Sequence, residues 1–113
     1  MLAQKPQPRK EWLDEGIRHL ETLCKEAREY ADEGDVLPTQ QGFVSAVQVL
    51  QTFRHAHAPK MGLTVNGEIS LRWDNTGDKF RAYVKPDGSV QFFRNKVLVD
   101  EPSFSTYLTA VPA

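Results

Sequence analysis

The stretch from Leu63 to Val99 reads LTVNGEISLRWDNTGDKFRAYVKPDGSVQFFRNKVLV, and it decides the fold. Short runs in which apolar and polar residues alternate are separated by three turn signals: Asn66-Gly67, Asn75-Thr76-Gly77 and Pro86-Asp87-Gly88. Alternation with a period of two is typical of strands that are buried on one face, and glycine turns between such runs are typical of hairpins. The stretch therefore predicts an antiparallel β-meander.

The alternation assigns the side chains of the meander to two faces. The inner face is apolar and carries Ile69, Leu71, Trp73, Phe80, Ala82, Val84, Val90 and Phe92. The outer face is basic and aromatic and carries Arg72, Lys79, Arg81, Tyr83, Lys85 and Phe93. Because an apolar face must be buried, this pattern also predicts that another layer of structure covers the inner side.

Turn lengths follow from the same alternation. A three-residue loop at Pro86-Asp87-Gly88 pairs Lys85 with Ser89 and keeps the apolar residues on one face, whereas a two-residue loop would not. At the Asn66-Gly67 turn, the same argument predicts Thr64 opposite Glu68.

Two helices precede the meander. The first is predicted from Arg9 to Glu33, where Gly34 would end it. Its apolar stripe has helical spacing and consists of Leu13, Ile17, Leu20, Cys24, Ala27 and Ala31. The second is predicted to be capped by Thr39 and to run to about His55. Its stripe consists of Phe43, Val47, Leu50 and Phe53.

The chain after the meander predicts a fifth strand and a short helix. In the strand, Val97 and Val99 are expected to face inward, and Ser103 is expected to cap a helix that packs Phe104 and Leu108. The fold class expected for the whole chain is α+β with two layers. An N-terminal helical hairpin packs on one face of a four- to five-stranded meander, and a short C-terminal helix follows. Residues 1–8 are expected to form a disordered arm, and residues 9–113 a single domain.

The composition indicates the number of domains and excludes some classes of protein. A chain of 113 residues with 40% hydrophobic and 26% charged residues suits one small domain. A net charge of -1 argues against a strongly basic nucleic-acid binder. Cys24 is the single cysteine, so no intramolecular disulfide is expected. With neither a signal peptide nor a membrane span in the sequence, we expect a cytoplasmic protein with no membrane association.

Three motifs stand out: the helix-hairpin link at 33–39 with Phe43, Ala46 and Leu50 after it, the strand Gly67-Glu68-Ile69-Ser70-Leu71-Arg72-Trp73, and Pro86-Asp87-Gly88-Ser89-Val90. On these motifs, residues 20–95 resemble a group of small uncharacterised bacterial proteins. The link differs from the group's usual Trp-Asp-Gly-Tyr-like segment, since this chain has Glu33-Gly34-Asp35-Val36 there. The resemblance implies a bacterial or phage origin and supplies no catalytic residues.

The outer face of the meander is the candidate binding site. Its proposed binding residues are Arg72, Arg81, Tyr83, Lys85 and Phe93. Three interpretations remain open: an ordinary solvated face, a protein-binding face in which arginines and aromatic rings act as hot spots, and a platform for single-stranded nucleic acid. Glu68 is positioned to pair with Lys85, which would reduce the basic character of the face.

Other reactive residue types have ordinary structural interpretations. His55-Ala56-His57 has a spacing that can bind zinc, but the histidines also suit the end of a helix. Cys24 lies in the apolar stripe of the first helix, which favours a buried thiol over a nucleophile. The acidic residues near the end of that helix could form a paired-carboxylate site, but such a run is more often a solvated surface, and it also suits a basic partner; they are Glu26, Glu29, Asp32, Glu33 and Asp35.

These observations predict a non-enzymatic protein-interaction module, an adaptor or an inhibitor, with no cofactor, no catalytic residues and no metal ligands. An antitoxin, an immunity protein or a phage inhibitor would fit this description. Single-stranded nucleic-acid binding through the outer face is the first alternative. A metal-dependent enzyme that uses His55 and His57 is the second. A homodimer through a sheet edge is left open.

Overall fold

The computed structural model of the chain describes residues 11–75 and 77–110. Within these residues lie three helices and five strands: α1 (Glu11–Glu29), α2 (Gln40–Thr52), β1 (Lys60–Leu63), β2 (Ile69–Asn75), β3 (Asp78–Val84), β4 (Val90–Arg94), β5 (Val97–Val99) and α3 (Glu101–Ala110). The strands form one antiparallel sheet in the order β1-β2-β3-β4-β5. The predicted α+β class and β-meander are confirmed. The arm predicted over residues 1–8 lies outside the described residues.

The β3–β4 turn has the length that the alternation predicts. The backbone N–H of Lys85 donates to the carbonyl of Ser89 at 2.8 Å. Between them Gly88 has a φ of +89°, a left-handed conformation that glycine adopts without strain. Val84 is therefore paired with Val90, and both face the core side of the sheet.

The β1–β2 turn also confirms its predicted pairing. The backbone N–H of Thr64 donates to the carbonyl of Glu68 at 2.9 Å, and Leu63 pairs with Ile69. Both pairings place the apolar residues of β1 and β2 on the same face as those of β3 and β4.

The inner face of the sheet forms the core together with the three helices. Of its predicted apolar residues, Val90 is half-buried and the others are buried. The helices contribute a second set of buried side chains, which are Leu20, Cys24, Ala46, Val49, Leu50, Phe104 and Leu108. Residues of α1, α2 and α3 thus supply the cover that the apolar face requires.

Phe104 of α3 lies at the centre of this core. Its ring centroid is 5.4 Å from that of Phe53, 5.9 Å from Trp73, 5.6 Å from Phe80 and 4.8 Å from Phe92. Three of these four contacts are edge-on, the arrangement that aromatic rings favour. A single side chain of α3 therefore contacts the end of α2 and the three central strands.

The link between α2 and β1 is held by both tryptophans. The indole N–H of Trp12 donates to the carbonyl of Ala56 at 2.9 Å, and that of Trp73 donates to the carbonyl of His57 at 2.9 Å. Because a buried indole N–H needs an acceptor, the link satisfies two polar groups of the core.

The first two helices end earlier than predicted. α1 ends at Glu29 rather than at Glu33, because a local turn replaces the last helical bonds: the Asp35 carboxylate accepts from the Asp32 N–H at 2.7 Å, and the Asp35 N–H donates to the Asp32 carbonyl at 3.1 Å. α2 ends at Thr52 rather than near His55.

The predicted cap of the last helix was wrong. The Asp100 carboxylate accepts from the N–H of Ser103 at 2.8 Å, and the helix begins at Glu101. Asp100 is therefore the N-cap. Pro102 lies in the first turn, where a missing N–H costs little.

Val97 lies on the inner side of the sheet, as predicted, but its side chain is 63% exposed. Val97 pairs with Arg94, whose guanidinium carbon lies 4.1 Å from the centre of the Tyr107 ring. Arg94 and Tyr107 thus pack together on the inner side of the sheet there, and Val97 at the edge strand is left uncovered.

Thr39 caps α2, as predicted, and also joins it to the sheet. Its hydroxyl accepts from the N–H of Gly42 at 3.0 Å and donates to the carbonyl of Pro86 in the β3–β4 turn. Gly42 lies close to the same turn, since an added Cβ would lie 3.3 Å from the carbonyl oxygen of Lys85.

We expect Thr39→Ala to lower the free energy of unfolding by about 2 kcal/mol, since it removes an N-cap and leaves a half-buried carbonyl unpaired. Thr39→Ser keeps the hydroxyl and should stay within about 0.5 kcal/mol of the unaltered protein. Urea denaturation measures both values. An equal loss for serine and alanine would contradict this role of the hydroxyl.

Candidate functional site

The outer face of the sheet carries one row of side chains that crosses all five strands. The register places Lys60, Arg72, Arg81, Phe93 and Leu98 beside one another in that order. The row is cationic on the β1 side and apolar on the β5 side. Leu98 is 59% exposed, which is high for a large apolar side chain on a sheet.

A pocket of about 330 Å³ lies on this face next to the row. It is lined by two aromatic rings and three cationic side chains, namely Lys79, Arg81, Tyr83, Phe93 and Lys96. The rings of Tyr83 and Phe93 meet edge to face, with centroids 5.7 Å apart and planes inclined by 75°. The pocket therefore combines an apolar wall with positive charge.

The Asp74 carboxylate lies among the cations next to the pocket. A guanidinium N–H of Arg81 donates to Asp74 at 2.8 Å, and this hydrogen bond, with the charges of Arg81, Arg72 and Lys60, holds the pKa of Asp74 below its ordinary value. Arg81 also donates to the carbonyl of Phe80 at 3.1 Å. Asp74 thus orients Arg81 and offsets the repulsion between Arg81 and the directly paired Arg72.

The remaining cations give the face an excess of positive charge. Among the ion pairs of residues 11–75 and 77–110, none includes Arg72, Lys79 or Lys96. Asp74 balances one charge of the face, so the field above the pocket is positive. The arrangement suits a ligand that brings carboxylates or phosphates together with apolar surface.

The five binding residues predicted from the sequence fall into two places. Three of them line the pocket, and a fourth, Arg72, lies beside it on β2. The fifth, Lys85, does not line the pocket. Its ammonium group pairs with Glu68 at 3.2 Å, as the sequence suggested, so this charge is already balanced.

Sequence reasoning left out three residues of the site. Lys79 lies on the predicted outer face but is not among the predicted binding residues, and neither Lys96 nor Leu98 is predicted to bind. The position of Leu98 could have been predicted from the alternation of β5. If Val97 and Val99 face inward, the residue between them faces outward, beside Phe93. Lys96 lies in a turn, and its direction depends on the turn geometry.

The turn that carries Lys96 is strained. Asn95 and Lys96 connect β4 to β5 with φ values of +50° and +70°. Asparagine tolerates this conformation, and here its side chain bonds to the N–H of Lys79 at 2.9 Å and to Asp78 at 2.8 Å. Lysine does not favour it, and glycine is the usual second residue of such turns. A lysine is thus held in the left-handed region at the edge of the pocket.

We expect Lys96→Gly to raise the free energy of unfolding by about 0.5–1 kcal/mol, because it relieves this strain. Lys96→Ala is the matched control, since it removes the charge and keeps the strain. Chemical denaturation of the two variants gives the comparison. Equal stability of both would show that the turn is not strained.

The histidine pair belongs to a structural link. Ala56 is buried, and the carbonyls of Ala56 and His57 accept the two indole N–H groups. Among residues 11–75 and 77–110, no three His, Cys, Asp or Glu side chains are grouped so that they could hold a metal ion.

Cys24 is buried in the core, as predicted from its place in the apolar stripe. Burial raises the pKa of its thiol, and the positive charge of Arg28 lowers it by a smaller amount. Since the thiolate is the reactive form, both burial and the raised pKa oppose reaction.

Iodoacetamide should therefore alkylate Cys24 at least about tenfold more slowly in the folded protein than in urea, at the same pH. Mass spectrometry over time measures both rates. Equal rates in the two conditions would contradict the burial of this thiol.

Comparison of the chain with protein-family models, with curated proteins and with solved structures finds no significant match. The resemblance of residues 20–95 to a bacterial group therefore stays a prediction. Within the described part of the chain, no helix has both the length and the apolar character needed to cross a membrane.

Proposed function

We propose that the protein is a non-enzymatic interaction module of the cytoplasm, an adaptor or an inhibitor, that binds a partner protein through its outer sheet face. The observation that carries this proposal is the pocket, with its two rings, three cations and the exposed Leu98 beside it. Arg72, Arg81, Tyr83 and Phe93 are the central binding residues, joined by Lys79 and Lys96. Lys85 lies at the margin of the surface.

The chemistry of the face defines the partner. Arginine and aromatic side chains supply many of the hot spots of protein interfaces. One apolar side chain of a partner can pack against the two aromatic rings of the pocket. Because the cations exceed the carboxylates around the pocket, the partner surface is expected to be acidic. Complementary charge would also speed association at low salt.

The arrangement of the rings favours protein over nucleic acid. Bases bind such platforms by stacking on open ring faces, whereas Tyr83 and Phe93 already meet edge to face and are half-buried. Leu98 adds exposed aliphatic surface, which suits an apolar side chain of a protein better than a phosphate backbone.

Photocrosslinking in the native cells tests the proposal. Replacement of Leu98 by p-benzoylphenylalanine should give a defined protein adduct under ultraviolet light. The same replacement at Val44, an exposed position on α2, should not give that adduct. Mass spectrometry of the adduct identifies the partner.

A charge-reversed variant makes this test specific. Arg72→Glu with Lys79→Glu should reduce the adduct at position 98 by more than about tenfold. Arg18→Glu with Arg54→Glu makes the same change in net charge at exposed positions outside the sheet and should leave the adduct unchanged. Equal adducts at 98 and 44, or no effect of the Arg72 and Lys79 reversal, would refute the proposal.

Single-stranded nucleic acid is the alternative, since cations interleaved with aromatic rings on a sheet also suit that ligand. This alternative predicts that the protein binds a labelled oligothymidylate. The affinity should fall steeply as the salt concentration rises and should be lost in the Arg81→Glu variant. Adducts at position 98 that nuclease removes would favour this alternative. Adducts between two copies of the chain would instead favour a homodimer through β5, whose edge is open.

A further inference from the structure

A second groove, separate from the pocket of the outer sheet face, lies between the α1–α2 link and the β1–β2 turn. Its volume is about 320 Å³. Three of its lining residues are large apolar side chains exposed to solvent: Tyr30 at 78%, Val36 at 52% and Val65 at 88%. Single exposed apolar residues are ordinary, but these three come from two segments far apart in the chain and line one groove.

The groove is preformed, because its two sides are packed directly on each other. A Cβ at Gly67 would lie 2.8 Å from a methyl carbon of Val36 and 2.9 Å from the carbonyl oxygen of Leu37. Gly67 also has a φ of +76°. The β1–β2 turn thus touches the α1–α2 link at a distance that only glycine permits. A binding surface fixed in this way loses little entropy when it is occupied.

Hydrogen bonds within each side hold its shape. On one side, the Asp35 carboxylate that lines the groove accepts from the Asp32 N–H at 2.7 Å. On the other side, the Thr64 hydroxyl accepts from the N–H groups of Asn66 at 3.3 Å and Glu68 at 3.2 Å.

The segment that forms one side of the groove is acidic, although one of its carboxylates, Glu29, is paired with Lys25 at 3.9 Å. Residues 26–35 contain five carboxylates and one basic residue, Arg28. Asp35 lines the groove, and Asp32 is bonded to it. None of the groove's lining residues lines the pocket of the outer sheet face, and the two surfaces carry opposite charge.

We infer that this groove is a second protein-binding surface, and that its occupant is a segment of another protein with one large apolar residue flanked by lysine or arginine. The apolar side chain lies between Tyr30 and Val65, and the flanking cations lie against the carboxylates of residues 26–35. The volume suits one or two side chains and is at the small end for a cofactor or a metabolite.

A displayed library of random short peptides, selected on the full chain, tests this inference. The enriched peptides should share a large apolar residue next to Lys or Arg. A synthetic copy of the most enriched peptide then serves as the probe in fluorescence anisotropy. Its affinity should fall more than about tenfold for Tyr30→Ser with Val65→Ser, and should be unchanged for Val44→Ser, an exposed valine outside the groove.

Charge variants separate this surface from the outer sheet face. Glu26→Lys with Glu33→Lys should weaken binding of the peptide, whereas Asp14→Lys with Glu15→Lys, at the other end of α1, should not. Arg72→Glu with Lys79→Glu should also leave the peptide affinity unchanged. The proposal for the groove and the proposal for the outer sheet face are therefore tested independently. Added salt should weaken binding, because exposed charges are screened.

Several results would overturn the inference. These are a selection that enriches no peptide, enriched peptides without basic residues, or an affinity that does not depend on Tyr30 and Val65. Self-association of the protein that Val65→Ser abolishes would assign the groove to a second copy of the chain instead. The substituted residues are exposed, so circular dichroism should show unchanged folding in each variant.

Discussion

The fold depends on the burial of Phe104 among four other aromatic rings. Because α3 follows β5 directly through the Asp100 cap, this one side chain fixes the end of the meander against its three central strands. Each aromatic contact adds about 0.5–1.5 kcal/mol beyond the burial of its surface. With Phe53 in the same cluster, the position of α2 is set by the same contacts.

Because the buried inner face supplies most of the stability of the fold, side chains on the other surfaces contribute little to it. On the outer face, Asp74 orients Arg81, Glu68 pairs with Lys85, and Leu98 is exposed beside Phe93. The hairpin end of the molecule exposes apolar side chains beside carboxylates. Under the two proposals made above, these surfaces of opposite charge would bind two different partners, as an adaptor does.

The sheet could be predicted from the sequence because a register is a local property: alternation and turn length together required Val84 opposite Val90 and placed Arg81 beside Phe93. The Thr39 cap was predicted, but two other features that depend on side-chain hydrogen bonds were not. The Asp32–Asp35 turn shortened α1, and Asp100 rather than Ser103 capped α3. The acidic groove joins residues far apart in the chain, so no pattern in the sequence reveals it.

The central claim is that the inner face carries the stability of the protein and leaves the outer face free to bind. Its most direct test compares the free energies of unfolding of two variants. Phe104→Ala should lose about 4 kcal/mol, as large core truncations do. The combined variant Arg72→Ser, Lys79→Ser and Leu98→Ser should lose no more than about 1 kcal/mol. A comparable loss in both variants would show that the outer face is part of the folding energetics and would contradict the claim.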